Sequence, residues 1–308
     1  MQKITKNIKK TLIYILNKMI QITPQEKEYE LLDSGFGEKL ERFGDFVLAR
    51  PDKEALWNKD LNKKVWDTAN FHFEREGQKT KWKIKKGTPD EWKIKYQNLT
   101  FLLKPTSFKH IGLFPEQIVN WMWMEKLIKK EISNRKEIQV LNLFAYTGGA
   151  TLICAKSGAS VCHVDASKQS VNWAKENANL SGLSDYPIRW IIDDAILFLK
   201  REIKRGRKYD AIIMDPPSFG HGPKDEIWKI EEGFLVLVDL CKQLLSENPI
   251  FFLINGYTAG YSSIVYENNL KEVFKDRKGQ IESGELVIAQ KNSNKLLPCG
   301  IFARWSKN

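Results

Sequence analysis

Four short segments carry residue types that could bind a nucleoside-like ligand and steer an attack beside it. Leu141-Asn142-Leu143-Phe144-Ala145-Tyr146-Thr147-Gly148-Gly149-Ala150 runs from an apolar stretch into a glycine pair, where backbone N–H groups can approach a ligand at a helix start. The first glycine of G-x-G-x-x-G is missing, which argues against a nicotinamide dinucleotide. Asp165 ends the next apolar run, where a carboxylate can accept from both hydroxyls of a ribose; it could equally cap the following helix, a role open to Ser167 as well. Asp193-Asp194-Ala195 ends the third run and suits an adenine amino group, or else one acid caps a helix and the other is solvated. The most specific segment is Asp215-Pro216-Pro217-Ser218-Phe219. Two prolines directly after a buried strand fix the backbone, so the Asp215 carboxylate and the Pro216 carbonyl would face a pocket in defined geometry. They would orient an amine lone pair towards an activated methyl group, a reaction in which alignment supplies much of the catalysis. Phe219 offers a ring for stacking a base, worth about 1–3 kcal/mol. The bland alternative is a rigid turn closing a core strand.

The elements that must position these residues alternate in a doubly wound pattern. Short apolar runs predict strands at 139–144, 160–165, 189–193, 209–215 and 250–255, and amphipathic stretches predict helices at 149–156, 168–179, 196–205, 226–245 and 264–274. Two late strands, at 285–289 and 301–305, are expected to pair antiparallel beside the parallel core. That arrangement points to a methyltransferase sheet rather than a dehydrogenase. Upstream, residues 26–105 alternate apolar and polar over short spans and predict a small β-rich domain. Within it, 81–85 and 92–96 are expected to pair as a hairpin across Gly87-Thr88-Pro89-Asp90, with Trp and Ile on one face and Lys on the other; 99–103 is one more strand. A Trp-containing helix over 116–130 leads into a second domain spanning 106–308, and residues 1–25 read as a basic extension or a first amphipathic helix.

The 308 residues are 42% apolar and 28% charged, enough for a sizeable core and unlike a disordered chain. No apolar run reaches the 18 or so residues of a membrane span. Cys154, Cys162, Cys241 and Cys299 form no C-x-x-C pair, so neither a zinc site nor a disulfide framework is indicated, no metal is expected, and a cytoplasmic location fits. Residues 1–136 hold 28 Lys and Arg against 18 acids, net +10, whereas 137–308 hold 21 against 20, net +1. A basic region joined to a neutral one is the footprint of a polyanion, and RNA or DNA leads the possible partners.

Phe144-Ala145-Tyr146-Thr147-Gly148-Gly149, Asp165, Asp194-Ala195 and Asp215-Pro216-Pro217-Ser218-Phe219 together resemble the S-adenosylmethionine-dependent class I methyltransferases, most closely the branch containing the 23S ribosomal RNA large-subunit methyltransferases. The resemblance covers about residues 105–308 and, more weakly, the β-rich region. It implies a Rossmann-like, seven-stranded α/β sheet and S-adenosylmethionine as cofactor. It also implies cofactor contacts at Phe144, Tyr146, Thr147, Gly148, Asp165, Asp194, Ala195 and Gln117, and catalysis at Asp215, Pro216, Pro217 and Phe219. Lys109 to Gln117 is similar to the family segment that closes over the cofactor, but Ile118 stands where that segment carries Arg. Lys109 or backbone amides are left to hold the methionine carboxylate. The implied reaction is methyl transfer to a nucleobase nitrogen of RNA, foremost ribosomal RNA. A protein or small-molecule methyltransferase and a non-catalytic RNA-binding assembly factor are the alternatives. Transfer to cytosine C5 would need a cysteine nucleophile near the fifth strand or the Pro-Pro loop. None of the four lies there, so nitrogen fits better unless Cys299 reaches the pocket. His221 is a further possible proton acceptor, although a loop histidine is more often solvated.

Overall fold

A computed structural model of the chain describes residues 19–76, 79–257 and 260–308, with the side chains of 75–79 excepted. Residues 1–18, most of the expected basic extension, lie outside the described residues. The rest of that stretch includes strand β1 (Ile20–Ile22). A five-stranded sheet follows in the order β2 (Tyr29–Gly35), β3 (Glu38–Phe43), β4 (Phe46–Pro51), β5 (Phe71–Glu76) and β6 (Lys79–Ile84). Its pairs are antiparallel except β4 with β5.

The strands β7 (Trp92–Tyr96) and β8 (Leu99–Leu103) pair with each other, so the hairpin expected between 81–85 and 92–96 does not form. Both strands exist, but each takes another neighbour. Gln97 and Asn98 both adopt positive φ, 50° and 59°, which makes the tight two-residue turn that closes β7 on β8. The amphipathic reading of β7 holds: Trp92, Ile94 and Tyr96 are buried while Lys93 and Lys95 are exposed.

The large sheet continues from a helix at Ile118–Glu131 into β9 (Gln139–Leu143), β10 (Ser160–Asp165), β11 (Ile188–Ile192) and β12 (Ala211–Met214). A small hairpin, β13 (Phe219–His221) with β14 (Ile227–Lys229), occupies part of what was expected as helix, and the helix itself spans Ile230–Leu244. Then come β15 (Phe251–Gly256), β16 (Gln280–Ala289) and β17 (Leu296–Ser306). Spatial order is β1-β16-β17-β15-β12-β9-β10-β11, with β17 antiparallel to β15 and β16, as expected for the late pair. The expected seven strands are present; β1, parallel to β16 at the edge, makes eight. In β12 and β15 every residue is buried, as befits parallel strands covered on both faces.

One apolar cluster joins Tyr29, Leu31 and Phe43 of the first sheet to Trp121, Met124 and Ile128 of the Ile118–Glu131 helix and to Val140 and Phe251 of the large one. The β-rich region therefore packs into the larger unit through a shared core. Between β8 and that helix, Gly112 has φ +103°, and a Cβ there would lie 2.3 Å from the Trp173 ring. Gly112→Ala is expected to destabilise the fold by about 1–3 kcal/mol, through backbone strain and overpacking, and to lower the urea midpoint without changing the m-value. An unchanged midpoint would contradict this packing.

Candidate active site

The carboxyl ends of the parallel strands open into a cavity of about 830 Å³, lined by residues just beyond β9, β11 and β12, by the ends of β10 and β15, and by residues of β3, β4, β13, β14, β16 and β17. Ligands of open α/β sheets sit at this end, and the volume suits a cofactor-sized ligand with a flat substrate group.

At the tip of β9, Phe144 and Tyr146 both adopt positive φ, 55° and 49°, and Gly148 follows at 89° as the N-cap of the Gly149–Lys156 helix. Two non-glycine residues in the left-handed region are strained backbone, held here by the surroundings. One restraint is Asp165: its Oδ2 accepts from the Tyr146 N–H at 2.8 Å, and its Oδ1 from the Ser167 N–H at 2.8 Å. Ser167, not Asp165, caps the next helix by accepting from Ser170 N–H. The Asp165 carboxyl therefore faces the cavity with lone pairs to spare, and burial pushes its pKa up. Tyr146 also lines the cavity; its hydroxyl is buried with no hydrogen-bond partner among the described residues, and burial raises it to about 12.

Asp193 and Asp194 both reach the cavity from the end of β11. Asp194 caps the Ala195–Lys204 helix through Leu197 N–H at 2.8 Å, and Asp193 pairs with Arg201. The alternative of one cap and one solvated acid thus fits only at Asp194.

Beyond β12, Asp215, Pro216 and Pro217 line the cavity. The Pro217 carbonyl accepts from Trp228 Nε1 at 2.6 Å, which ties the Pro-Pro turn to the β13–β14 hairpin. Asp215 has no hydrogen-bond or ion-pair partner among the described residues; burial, with a smaller contribution from the Glu116 charge, pushes its pKa up to about 7. An unpaired carboxyl held this way is a free acceptor at a rigid position.

An S-adenosylmethionine-dependent methyltransferase family profile matches residues 69–272. The chain belongs to this family. A crystal structure of the SAM-dependent methyltransferase from Agrobacterium tumefaciens is similar over 94% of this chain and 93% of that one, with 37% sequence identity and a TM-score of 0.88. Ribosomal RNA large subunit methyltransferase K of Neisseria meningitidis is 27% identical over 70% of this chain. Ribosomal RNA large subunit methyltransferase K/L of Pseudoalteromonas atlantica is 32% identical over 64% of it. The chain covers 62% of the first of these two relatives and 25% of the second.

The cavity fits the family's cofactor, S-adenosylmethionine. Spare lone pairs on Asp165 suit ribose hydroxyls, and the unsatisfied Tyr146 hydroxyl awaits an acceptor. When bound, the cofactor supplies a methyl group already activated as a sulfonium.

Of the residues expected at the site, Phe144, Tyr146, Asp165, Asp194, Ala195, Asp215, Pro216 and Pro217 line the cavity. Thr147, Gly148, Gln117 and Phe219 are not among its lining residues. Thr147 Oγ1 donates to the Gly112 carbonyl at 2.6 Å and holds the loop from behind, while Gly148 supplies the left-handed cap. Gln117 donates through Nε2 to the Tyr257 hydroxyl at 3.1 Å, one layer below the surface of the cavity. Phe219 is 54% exposed, with its ring 5.1 Å from that of His221, which does line the cavity.

Sequence reasoning placed Glu116 only within the segment that closes over the cofactor and gave it no role of its own; its carboxylate accepts from Tyr257 Oη at 2.6 Å, and burial raises its pKa. The 3-10 turn Pro115–Gln117 aims Glu116, rather than its neighbour Gln117, at the cavity. Sequence reasoning missed Lys39, Arg50 and Asp52, which arrive from the first sheet, and Tyr257 beyond β15. Cys299, on which the C5 alternative turned, does reach the cavity.

Proposed function

We propose that this protein transfers a methyl group from S-adenosylmethionine to a nucleobase nitrogen of RNA, foremost ribosomal RNA. The observation that carries the reading is the Asp215-Pro216-Pro217 turn, which holds an unpartnered carboxyl against the cavity at the end of β12. In this reading Asp215 and the Pro216 carbonyl accept hydrogen bonds from an amino or ring nitrogen and hold its lone pair in line for attack. Asp165 binds the ribose of the cofactor, and Asp193 and Asp194 face its adenine. Phe144, Tyr146 and Ala195 complete that wall; Thr147, Gly148 and Gln117 position it from behind. Phe219, at the rim, stacks on a nucleotide next to the target. The domain boundaries read from the sequence, 26–105 and 106–308, are kept in this proposal, with residues 1–25 as a basic extension. RNA as partner is supported by the names of the relatives and by the +10 excess of residues 1–136. Among the described residues, no helix is long and apolar enough to cross a membrane, and all four cysteines are free; a cytoplasmic site of action is in keeping with both. Electrostatic binding to RNA predicts a log–log plot of affinity against salt with a slope of several units. A flat plot would favour a small-molecule substrate.

The presence of Cys299 in the cavity favours one competing chemistry, C5 transfer through a covalent adduct. Burial, reinforced by the Glu116 charge, pushes the Cys299 thiol far above its ordinary range, so at neutral pH it is not a thiolate. Cys299→Ser is therefore expected to keep the transfer rate within about threefold. Loss of transfer with intact cofactor binding would move the reaction to carbon.

A further inference from the structure

Three cations, Lys39, Arg50 and Lys109, line the N-terminal side of the cavity beside three carboxylates, Glu41, Asp52 and Glu116, and of these cations Lys109 alone makes no ion pair among the described residues. Glu41 is fully buried and saturated: it accepts from Tyr29 Oη at 2.9 Å and from Arg50 Nε at 2.9 Å, and lies 3.6 Å from Lys39 Nζ. Asp52 pairs with Lys39 at 3.2 Å. Glu116, the next acid, is engaged by Tyr257. Lys109 is left without a carboxylate partner among the described residues; its ammonium donates at 3.1 Å to the Pro51 carbonyl, while its own carbonyl accepts from Arg50 Nη1 at 3.1 Å. His110 beside it is pushed down to about 4 by burial and nearby cations, so it adds no charge at neutral pH. Lys39, Arg50 and Lys109 all line the cavity. A half-buried ammonium whose nearest acids, Asp52 and Glu41, are already paired with Lys39 and Arg50 is costly unless a further anion completes the group.

Position distinguishes which anion fits. The acids Asp165, Asp193 and Asp194 occupy the β10–β11 side of the cavity, suited to hydroxyl and amino groups and repelling phosphate. Ser34 of β2 donates through Oγ to Gln290 Oε1 at 2.6 Å and the Lys291 N–H donates to the Leu31 carbonyl at 2.8 Å, which sets the first sheet, and with it Lys39 and Arg50, on the β16–β17 side of the molecule, across β12 from those acids. We propose that Lys109, backed by Lys39 and Arg50, forms an oxyanion subsite that takes the phosphate of the nucleotide whose base enters the cavity. The subsite rests on the proposed RNA substrate and adds that the first sheet of the chain helps to hold the reacting nucleotide.

The test titrates nucleoside 5′-monophosphates, and separately the matching nucleosides, into protein saturated with S-adenosylhomocysteine, at fixed ionic strength. The wild-type protein should bind at least one monophosphate about tenfold or more tightly than its nucleoside, the scale of one charge-assisted hydrogen-bonded contact. Lys109→Met should abolish that preference, and Lys109→Arg should retain most of it. Equal affinity of the wild type for nucleoside and monophosphate would overturn the subsite. So would a Lys109→Met protein that loses affinity for S-adenosylhomocysteine while keeping the phosphate preference, since Lys109 would then serve the cofactor carboxylate. A phosphate preference in a wild-type protein that methylates no RNA would uphold the subsite and refute the RNA reading, so the two fail separately.

Discussion

Asp215→Ala is expected to lower methyl transfer at least about 100-fold while leaving the dissociation constant for S-adenosylhomocysteine within about threefold. The size follows from geometry: misplacing a nucleophile by about 1 Å costs on the order of 100-fold, and Asp215 is the acceptor that the rigid Pro216-Pro217 turn holds at the end of β12. The carboxyl makes no hydrogen bond or ion pair with any described protein group, so its loss breaks no internal hydrogen bond. A pH signature accompanies it. Burial raises Asp215 to about 7, so in the free enzyme the carboxylate forms as pH rises through that value, and kcat/KM should climb across the same interval. Stability runs the other way. A carboxyl whose folded pKa is raised contributes its stabilisation fully below the unfolded value of 3.8, and this is lost as pH rises through about 7. Asp215→Asn should therefore flatten both curves near pH 7. A wild-type rate profile and a melting profile without an inflection there, or unchanged turnover in the Ala variant, would remove Asp215 from the mechanism.

Asp165→Ala is expected to weaken cofactor binding by about 1.5–3 kcal/mol, a 10- to 150-fold rise in the dissociation constant measured by calorimetry. Two effects add. The carboxyl would no longer accept from ribose hydroxyls, and the Tyr146 and Ser167 N–H groups would lose their acceptor, releasing a loop whose Tyr146 backbone is strained at φ 49°. Asp165→Asn keeps one acceptor oxygen and should fall between wild type and Ala. Unchanged affinity in the Ala variant would mean that Asp165 only braces the turn.

Local pattern carried much of this account. Strand β10 and the helix Gly149–Lys156 fall at the boundaries read from the sequence, because both are short, apolar and bracketed by glycine or polar residues. Asp165, Asp194 and Asp215 were legible as strand-end acids for the same reason. Which acid caps a helix was not: that choice depends on whether a nearer side chain, such as Ser167, already serves the N-terminal amides. The pairing of β7 with β8 was missed because the deciding turn at Gln97-Asn98 lacks glycine, while Gly87-Thr88-Pro89-Asp90 offered a stronger local turn signal. The cationic group of Lys39, Arg50 and Lys109 was out of reach, since it is assembled from separate strands and a loop that only the shared core brings to one cavity.

The most direct test of the proposed reaction is transfer of labelled methyl from S-adenosylmethionine to ribosomal subunits, free ribosomal RNA and total protein from cells lacking this protein. Label in RNA that digests to an N-methylated nucleoside is the predicted result. Label confined to protein, or absent from all three while S-adenosylhomocysteine binds normally, would contradict it.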